Sequence, residues 1–412
     1  MLRVTKRRLP RWSELKPLLR TEGFDASATN RRLRRAASIS DLREIARRRT
    51  PRAVFDYTDG AAGDEVSAAR SRRAFERVEF VPRVLRDVSV VDTSTRMLGK
   101  PVPIPLALGP TGFTRMMHHA GEPAVARAAG RFGLPYTLST MGTTSLERLA
   151  AQAPSTRRWF QLYLWRDRDA SADFVKRAID CGYDTLMLTV DTPIGGARLR
   201  DARNGMTIPP ALRLRTFVDG ARHPHWWFNF LTTEPLEFAS LKHFAGTPAE
   251  LSNKIFDPSA TIDDVRWLRE AWPGKLVVKG VQTVEDAEAC VAAGADALVV
   301  SNHGARQLDR SPTPLELLPG IAARCGERAE IYLDGGVRSG GDIAAAVALG
   351  ARGVLIGRAY LYGLMAGGER GVDHALRLLT TEFTATMRLL GVTSVAELTG
   401  ERVRMRGCPC CS

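Results

Sequence analysis

The chain has 412 residues, of which 44% are hydrophobic and 25% charged. That apolar content excludes a disordered protein, and six cysteines in this length exclude a disulfide-stapled miniprotein. The net charge of +14 is concentrated at the start, where residues 1–50 carry 15 Lys and Arg against 5 Asp and Glu. A basic arm on a near-neutral body suggests a solvated tail or contact with anionic lipid or an acidic partner, and argues against nucleic acid.

The opening MLRVTKRRLPRW is basic but has no apolar stretch before a cleavage site, so no secretory signal is expected. No apolar run reaches the roughly eighteen residues that a transmembrane helix needs. Ser40-Asp41 ahead of LREIARRR reads as a capped helix, and 51–65 as a further helix and turn. Eight short apolar runs follow, at 104–109, 135–140, 158–164, 185–191, 275–280, 297–302, 331–336 and 353–358. Several are continuously apolar, as parallel strands buried on both faces must be. Amphipathic stretches such as 122–133, 172–182 and 284–294 separate them, each closed by a glycine suited to a helix C-cap. Repetition of this unit predicts a (β/α)8 barrel, an α/β fold, with an N-terminal helical extension.

Strands four and five start 90 residues apart, and the intervening 205–259 reads as a lid or insertion at the barrel mouth. Its Trp226, Trp227 and Phe228 are read first as packing residues, with a membrane-touching surface as the alternative. Residues 360–405 read as helices closing the barrel from outside. The domain division is therefore a basic arm over 1–40, the barrel domain over 41–400, and a tail over 401–412. That tail carries Cys408, Cys410 and Cys411, but with no paired CxxC elsewhere, no metal is expected. Cys181, Cys290 and Cys325 read as small core residues, in keeping with a reducing cytoplasm.

In a barrel of this kind the active site lies at the C-terminal strand ends. Those ends supply Pro110, Thr111 and Gly112, then Ser139, Gln161 and Tyr163, Thr189 and Asp191, and Lys279. They continue with Ser301, His303 and Arg306, then Asp334, Gly336 and Arg338, and finally Gly357 and Arg358. His303 is a plausible general base with Asp191 as its carboxylate partner. Arg306 and Arg198 suit a bidentate clamp on a substrate carboxylate. Arg338 and Arg358, among glycines after strands seven and eight, suit a phosphate belonging to a substrate or to a cofactor such as FMN. Lys279 offers a fixed positive charge, which beneath a flavin would stabilise the reduced anionic ring. No GxGxxG opens a helix after a strand, which disfavours Rossmann-type NAD chemistry.

The runs 301-SNHGARQLD-309, 334-DGGVRSGGD-342, 159-WFQLYLWRDR-168, 189-TVDTP-193, 277-VVKG-280 and 54-VFDYTDGAAGDE-65 resemble the FMN-dependent α-hydroxy-acid dehydrogenase/oxidase family, over about residues 40–400. Within it the chain looks most like the bacterial quinone-linked L-lactate dehydrogenases. The resemblance implies FMN as cofactor and His303 as base, with Asp191 stabilising its protonated form. Arg198, Arg306, Tyr57 and Tyr163 would bind substrate, with Met141 at the side-chain pocket. The other strand-end residues would contact FMN. It also implies oxidation of an L-2-hydroxy acid, L-lactate to pyruvate first. Electrons would go to a quinone or other carrier, in a homo-oligomer that by analogy is a tetramer. The location would be cytoplasmic, with peripheral contact to the inner membrane face through the basic arm. The alternatives are oxidation of a peptide or larger 2-hydroxy acid, or an oxygen-using oxidase. A non-enzymatic flavin- or nucleic-acid-binding barrel is the reading least compatible with the rim. Two departures from the family bear on the pocket: Ala61-Ala62-Gly63-Asp64 lacks one carboxylate, and Ile194-Gly195-Gly196-Ala197 is less basic than in glycolate oxidase.

Overall fold

A computed structural model describes residues 8–18, 26–205, 219–236, 239 and 256–407. The three-cysteine end of the tail and most of 205–259 lie outside them. Eight strands close a parallel barrel: β1 (Leu106–Leu108), β2 (Tyr136–Ser139), β3 (Arg158–Tyr163), β4 (Thr185–Thr189), β5 (Lys275–Val281), β6 (Ala297–Val300), β7 (Glu330–Asp334) and β8 (Gly353–Ile356). Consecutive strands are neighbours, and β8 returns to β1. The expected runs and the observed strands coincide because both strand faces are buried, one by the barrel interior and the other by the helices.

Alternation along the strands then builds the site. Ala107, Trp159, Met187, Val277, Val299, Tyr332 and Leu355 form one apolar cluster with Met97, Leu98 and Val102 of the hairpin Thr95–Met97/Lys100–Val102. Residues of the same parity farther along the strands are polar: Gln161 and Tyr163 on β3, Thr189 on β4, Lys279 on β5 and Asp334 on β7. Register pairs Tyr163 with Thr189 and Thr189 with Lys279, so they share a level above the apolar floor.

The surrounding helices start on side-chain caps, with Ser145, Asp167, Thr261, Thr283 and Ser339 each accepting from a backbone N–H of the first turn. The helix expected from Ser40 begins earlier. Ser38 Oγ accepts from Asp41 N at 3.1 Å and donates to the Asp41 carboxylate at 2.9 Å, so the helix spans Ile39–Arg49. The expected arm is not wholly free either. Helix Ala28–Arg34 lies on helix Arg358–Gly367, burying Leu33 and Ala36, and Arg32 Nε donates to the Ala366 carbonyl at 2.9 Å. At the other end Val403–Met405 pairs antiparallel with Val78–Phe80, so the start of the expected tail belongs to the body. In helix Pro224–Thr232, Trp226 Nε1 donates to the Met116 carbonyl at 2.9 Å and Trp227 is buried, whereas Phe228 faces outward. Cys290 and Cys325 are buried and Cys181 half-buried, all as free thiols. Among the described residues no helix is long and apolar enough to cross a membrane.

Helices Arg358–Gly367 and Glu369–Leu390 meet backbone to backbone. A Cβ on Gly371 would stand 1.9 Å from the Gly363 carbonyl oxygen. Gly371→Ala must separate the two helices and is expected to cost about 1–3 kcal/mol, read as a lower urea midpoint with unchanged slope.

Candidate active site

The C-terminal mouth of the barrel opens into a cavity whose lining includes Tyr57, Ser139, Tyr163, Thr189, Lys279 and His303. After β6 the chain makes a tight turn in which His303, Gly304 and Ala305 all have left-handed φ, of 59°, 62° and 61°. Each non-glycine residue there costs roughly 1–2 kcal/mol. The turn is held by Asn302 Oδ1, which accepts from Ala305 N at 3.0 Å, and by Ser301 Oγ, which accepts from His303 N at 3.0 Å. It presents the His303 ring so that Nδ1–H donates to Asp191 Oδ1 at 2.8 Å, leaving Nε2 near the Tyr163 hydroxyl at 3.4 Å. Asp191 fits because β5 has a glycine beside it: a Cβ on Gly280, whose φ is +110°, would lie 2.7 Å from the Asp191 side chain. Burial pushes the Asp191 carboxyl up, but His303 and Lys279 outweigh burial and hold it below its ordinary range.

Lys279 is 4% exposed, and its Nζ lies 3.1 Å from Ser301 Oγ and 3.0 Å from Asp334 Oδ2. Burial disfavours its charge, yet Asp334 and Asp191 reverse that and raise its pKa, so the ammonium stays protonated. Across the cavity the guanidinium groups of Arg306 and Arg198 lie 5.0 and 5.6 Å from the Tyr57 ring centroid. Arg306 donates through one nitrogen to the carbonyls of Tyr57 (2.6 Å) and Gly60 (3.1 Å), and Arg198 Nε pairs with Asp201 at 2.8 Å. This leaves a cationic spot facing a general base, an arrangement suited to a carboxylate-bearing substrate with an adjacent hydroxyl.

Several buried polar atoms here have no partner: Gln161 Nε2, Thr189 Oγ1, Asp334 Oδ1 and Arg338 Nη1. Such orphans are rare in folded proteins unless a ligand satisfies them. An amide, a hydroxyl and a buried ammonium suit the polar edge of a flavin ring, and a guanidinium N–H suits a phosphate. The residues present therefore fit FMN. Pro110, Thr111, Gly112, Gly336 and Gly357 also line the cavity. The Thr111 hydroxyl is already engaged by the Tyr360 hydroxyl at 2.7 Å, so Thr111 has less to offer a ligand through its side chain. Met141 sits against Gly112, where an added Cβ would lie 2.9 Å from the Met141 Cβ.

Two expectations change. Arg358 is more engaged than a free phosphate ligand would be. Its guanidinium donates to the carbonyls of Thr58 (2.9 Å), Gly304 (2.8 Å) and Gly60 (2.6 Å), tying the N-terminal extension to the His303 turn. That leaves one N–H on each terminal nitrogen, and the backbone at the start of helix Arg358–Gly367, for a ligand in the cavity that Arg358 lines. Ser301 is fully buried behind Lys279 and His303 and acts on the cavity through them.

The sequence reading missed Phe256 and Gln307. Phe256 packs edge-on against Tyr163, with centroids 5.4 Å apart, and comes from a stretch with no periodicity to signal it. Gln307 lies inside the SNHGARQLD run. Its Nε2 donates to the carbonyls of Asp191 (3.2 Å) and Ile194 (2.9 Å), and its Oε1 accepts from Gly196 N at 3.2 Å, pinning the loop that carries Arg198.

Fold and site together define a flavin-dependent oxidoreductase barrel, and residues 46–405 match the FMN-dependent dehydrogenase family model. The chain belongs to that family, and FMN is its cofactor. It is 55% identical over 400 residues, 97% of both chains, to a Mycobacterium tuberculosis protein provisionally named an L-lactate dehydrogenase. It is 44% identical to the L-lactate dehydrogenase of Caulobacter vibrioides, covering 88% of this chain and 96% of that one. Among solved structures it superposes with a TM-score of 0.87 on the monotopic membrane protein (S)-mandelate dehydrogenase, at 38% identity, covering 90% of this chain and 99% of that one.

Arg358→Met leaves three carbonyls without their charged donor. It is expected to cost about 3 kcal/mol or more, measurable as a fall in the urea midpoint of the flavin-loaded protein.

Proposed function

We propose that this chain oxidises an L-2-hydroxy acid to the 2-oxo acid, with L-lactate giving pyruvate as the first substrate to test. The observation that carries this reading is His303, backed by its hydrogen bond to Asp191, lining one cavity with Arg306 and Arg198. The names of the lactate dehydrogenase relatives support the choice of acid.

Arg306 and Arg198 bind the substrate carboxylate, and Tyr57 and Tyr163 orient the carboxylate and hydroxyl. His303 Nε2 takes up a proton as the substrate is oxidised, and Asp191 stabilises the imidazolium that forms. When bound, FMN supplies the two-electron acceptor. Gln161, Ser139, Thr189 and Lys279 would hold its polar ring edge. Arg338 and the backbone of Gly336, Gly357 and Arg358 would hold its phosphate, and Pro110, Thr111 and Gly112 would also contact it. The Lys279 ammonium would offset negative charge that builds near it. Tyr163 and Phe256 limit water at the reacting face.

Electrons leave to a quinone or other carrier. The basic N-terminal arm favours approach to an anionic membrane face, which agrees with a cytoplasmic protein held peripherally. Assembly as a homo-oligomer, a tetramer by analogy, rests on the family resemblance. A bulkier 2-hydroxy acid is the second reading, favoured by the 38% identity with the (S)-mandelate dehydrogenase of Pseudomonas putida.

The test is the visible spectrum of the yellow protein under anaerobic conditions. L-lactate should bleach the flavin band. Bleaching by mandelate with none by lactate would replace lactate with an aryl substrate, and bleaching by neither would sink the hydroxy-acid reading. His303→Gln should keep its flavin yet lose kcat by about 10²- to 10⁴-fold. Removal of residues 1–25, ahead of the packed helix Ala28–Arg34, should weaken binding to anionic vesicles without changing turnover in solution.

A further inference from the structure

Arg338 does not stand alone. Its guanidinium lies 4.7 Å over the Tyr362 ring, and its Nη2 donates to the Tyr362 hydroxyl at 3.3 Å. That hydroxyl donates in turn to Asp59 Oδ1 at 2.6 Å. Behind Tyr362 the Phe55 ring is stacked at a centroid distance of 6.3 Å, and Arg43 lies 5.5 Å over Phe55. Arg43 closes the circuit, donating to both Asp59 oxygens at 2.6 and 2.8 Å. Arg200 adds a third cation to the same carboxylate at 3.0 Å. The result is a column of cation, ring, ring and cation whose two ends are joined through one carboxylate.

Tyr362 is fully buried and the Asp59 side chain is 6% exposed, so neither group has water as a substitute partner. Burial raises the Asp59 carboxyl, but Arg43, Tyr362 and Arg200 outweigh it and hold the carboxyl well below its ordinary range. The column fixes two sides of Arg338, its ring-facing plane and Nη2. Its other terminal nitrogen, Nη1, is a buried donor with no partner, and Arg338 lines the cavity.

We propose that Tyr362 and Asp59 are positioning residues that hold Arg338 at the cofactor phosphate, and so give the site its preference for FMN over riboflavin. This rests on the reading that Arg338 contacts that phosphate. Asp59, Phe55 and Arg43 all come from the helices ahead of the barrel and do not line the cavity, so they would contribute to cofactor selection from behind it. A guanidinium free to rotate would lose affinity for the phosphate and leave ring binding alone.

The experiment uses the full-length protein, stripped of flavin and titrated with FMN and with riboflavin by quenching of flavin fluorescence. Tyr362→Phe keeps the ring stack and removes only the hydroxyl. Asp59→Asn keeps a hydrogen-bond acceptor and removes the charge. Each should weaken FMN by about 10- to 100-fold, the range for a hydrogen bond to a charged group, and leave riboflavin unchanged. Arg338→Met should narrow the preference at least as far as either variant. If it leaves the preference intact, the reading that Arg338 contacts the phosphate fails, whatever the other variants do. If Arg338→Met narrows the preference while Tyr362→Phe preserves it, or weakens FMN and riboflavin alike, the positioning role is overturned. Because Asp59→Asn also touches Arg43 and Arg200, Tyr362→Phe decides the matter should Asp59→Asn fold poorly.

Discussion

The two-residue alternation of a strand buried on both faces governs the rest of this molecule. It makes Trp159, Met187, Val277 and Tyr332 an apolar floor, and it obliges Gln161, Thr189, Lys279 and Asp334 to stand above that floor at the strand ends. A polar group in such a place is costly unless paired. The arrangement that results is economical. Ser301 serves both Lys279 and the His303 backbone, Asp334 keeps Lys279 charged, and Asp191 serves the His303 ring. Gln161 Nε2, Thr189 Oγ1 and Asp334 Oδ1 are left unpaired, where a flavin could use them.

A second layer comes from outside the barrel. Arg306 and Arg358 reach the carbonyls of Tyr57, Thr58 and Gly60 at the end of helix Arg52–Asp59. The helical extension is thus a wall of the site held by buried guanidinium groups, not an appendage. It carries Tyr57 against Arg198 and Arg306, and it meets the His303 turn through Arg358 and the Gly304 carbonyl.

Most of the barrel could be read from the chain because doubly buried strands leave unmistakable apolar runs, and the His303–Asp191 contact because both residues sit at ends of such runs. What was less legible has local causes. The cap fell on Ser38 instead of Ser40 because Asp41 can reciprocate only with the residue three before it. Arg358 stood out as a strand-end arginine beside glycine, which is a phosphate-binding composition. The direction of its side chain is set by three carbonyls up to 300 residues away in sequence. Phe256 could not be found at all, since it belongs to a segment without period. Gln307 was in plain view inside the most specific motif, but its partners lie on another loop.

The left-handed turn at 303–305 bears on how this enzyme can change over evolutionary time. Only one of its three residues is glycine, so two side chains are kept where the backbone resists them. Loss of Asn302 or Ser301 would let that turn relax, and the His303 ring would swing away from Asp191 with no substitution at either residue. Sequence drift at these two supports is therefore closed off almost as firmly as at His303. New specificities in this scaffold are left to arise in the side chains around Tyr163 and Met141, away from that turn.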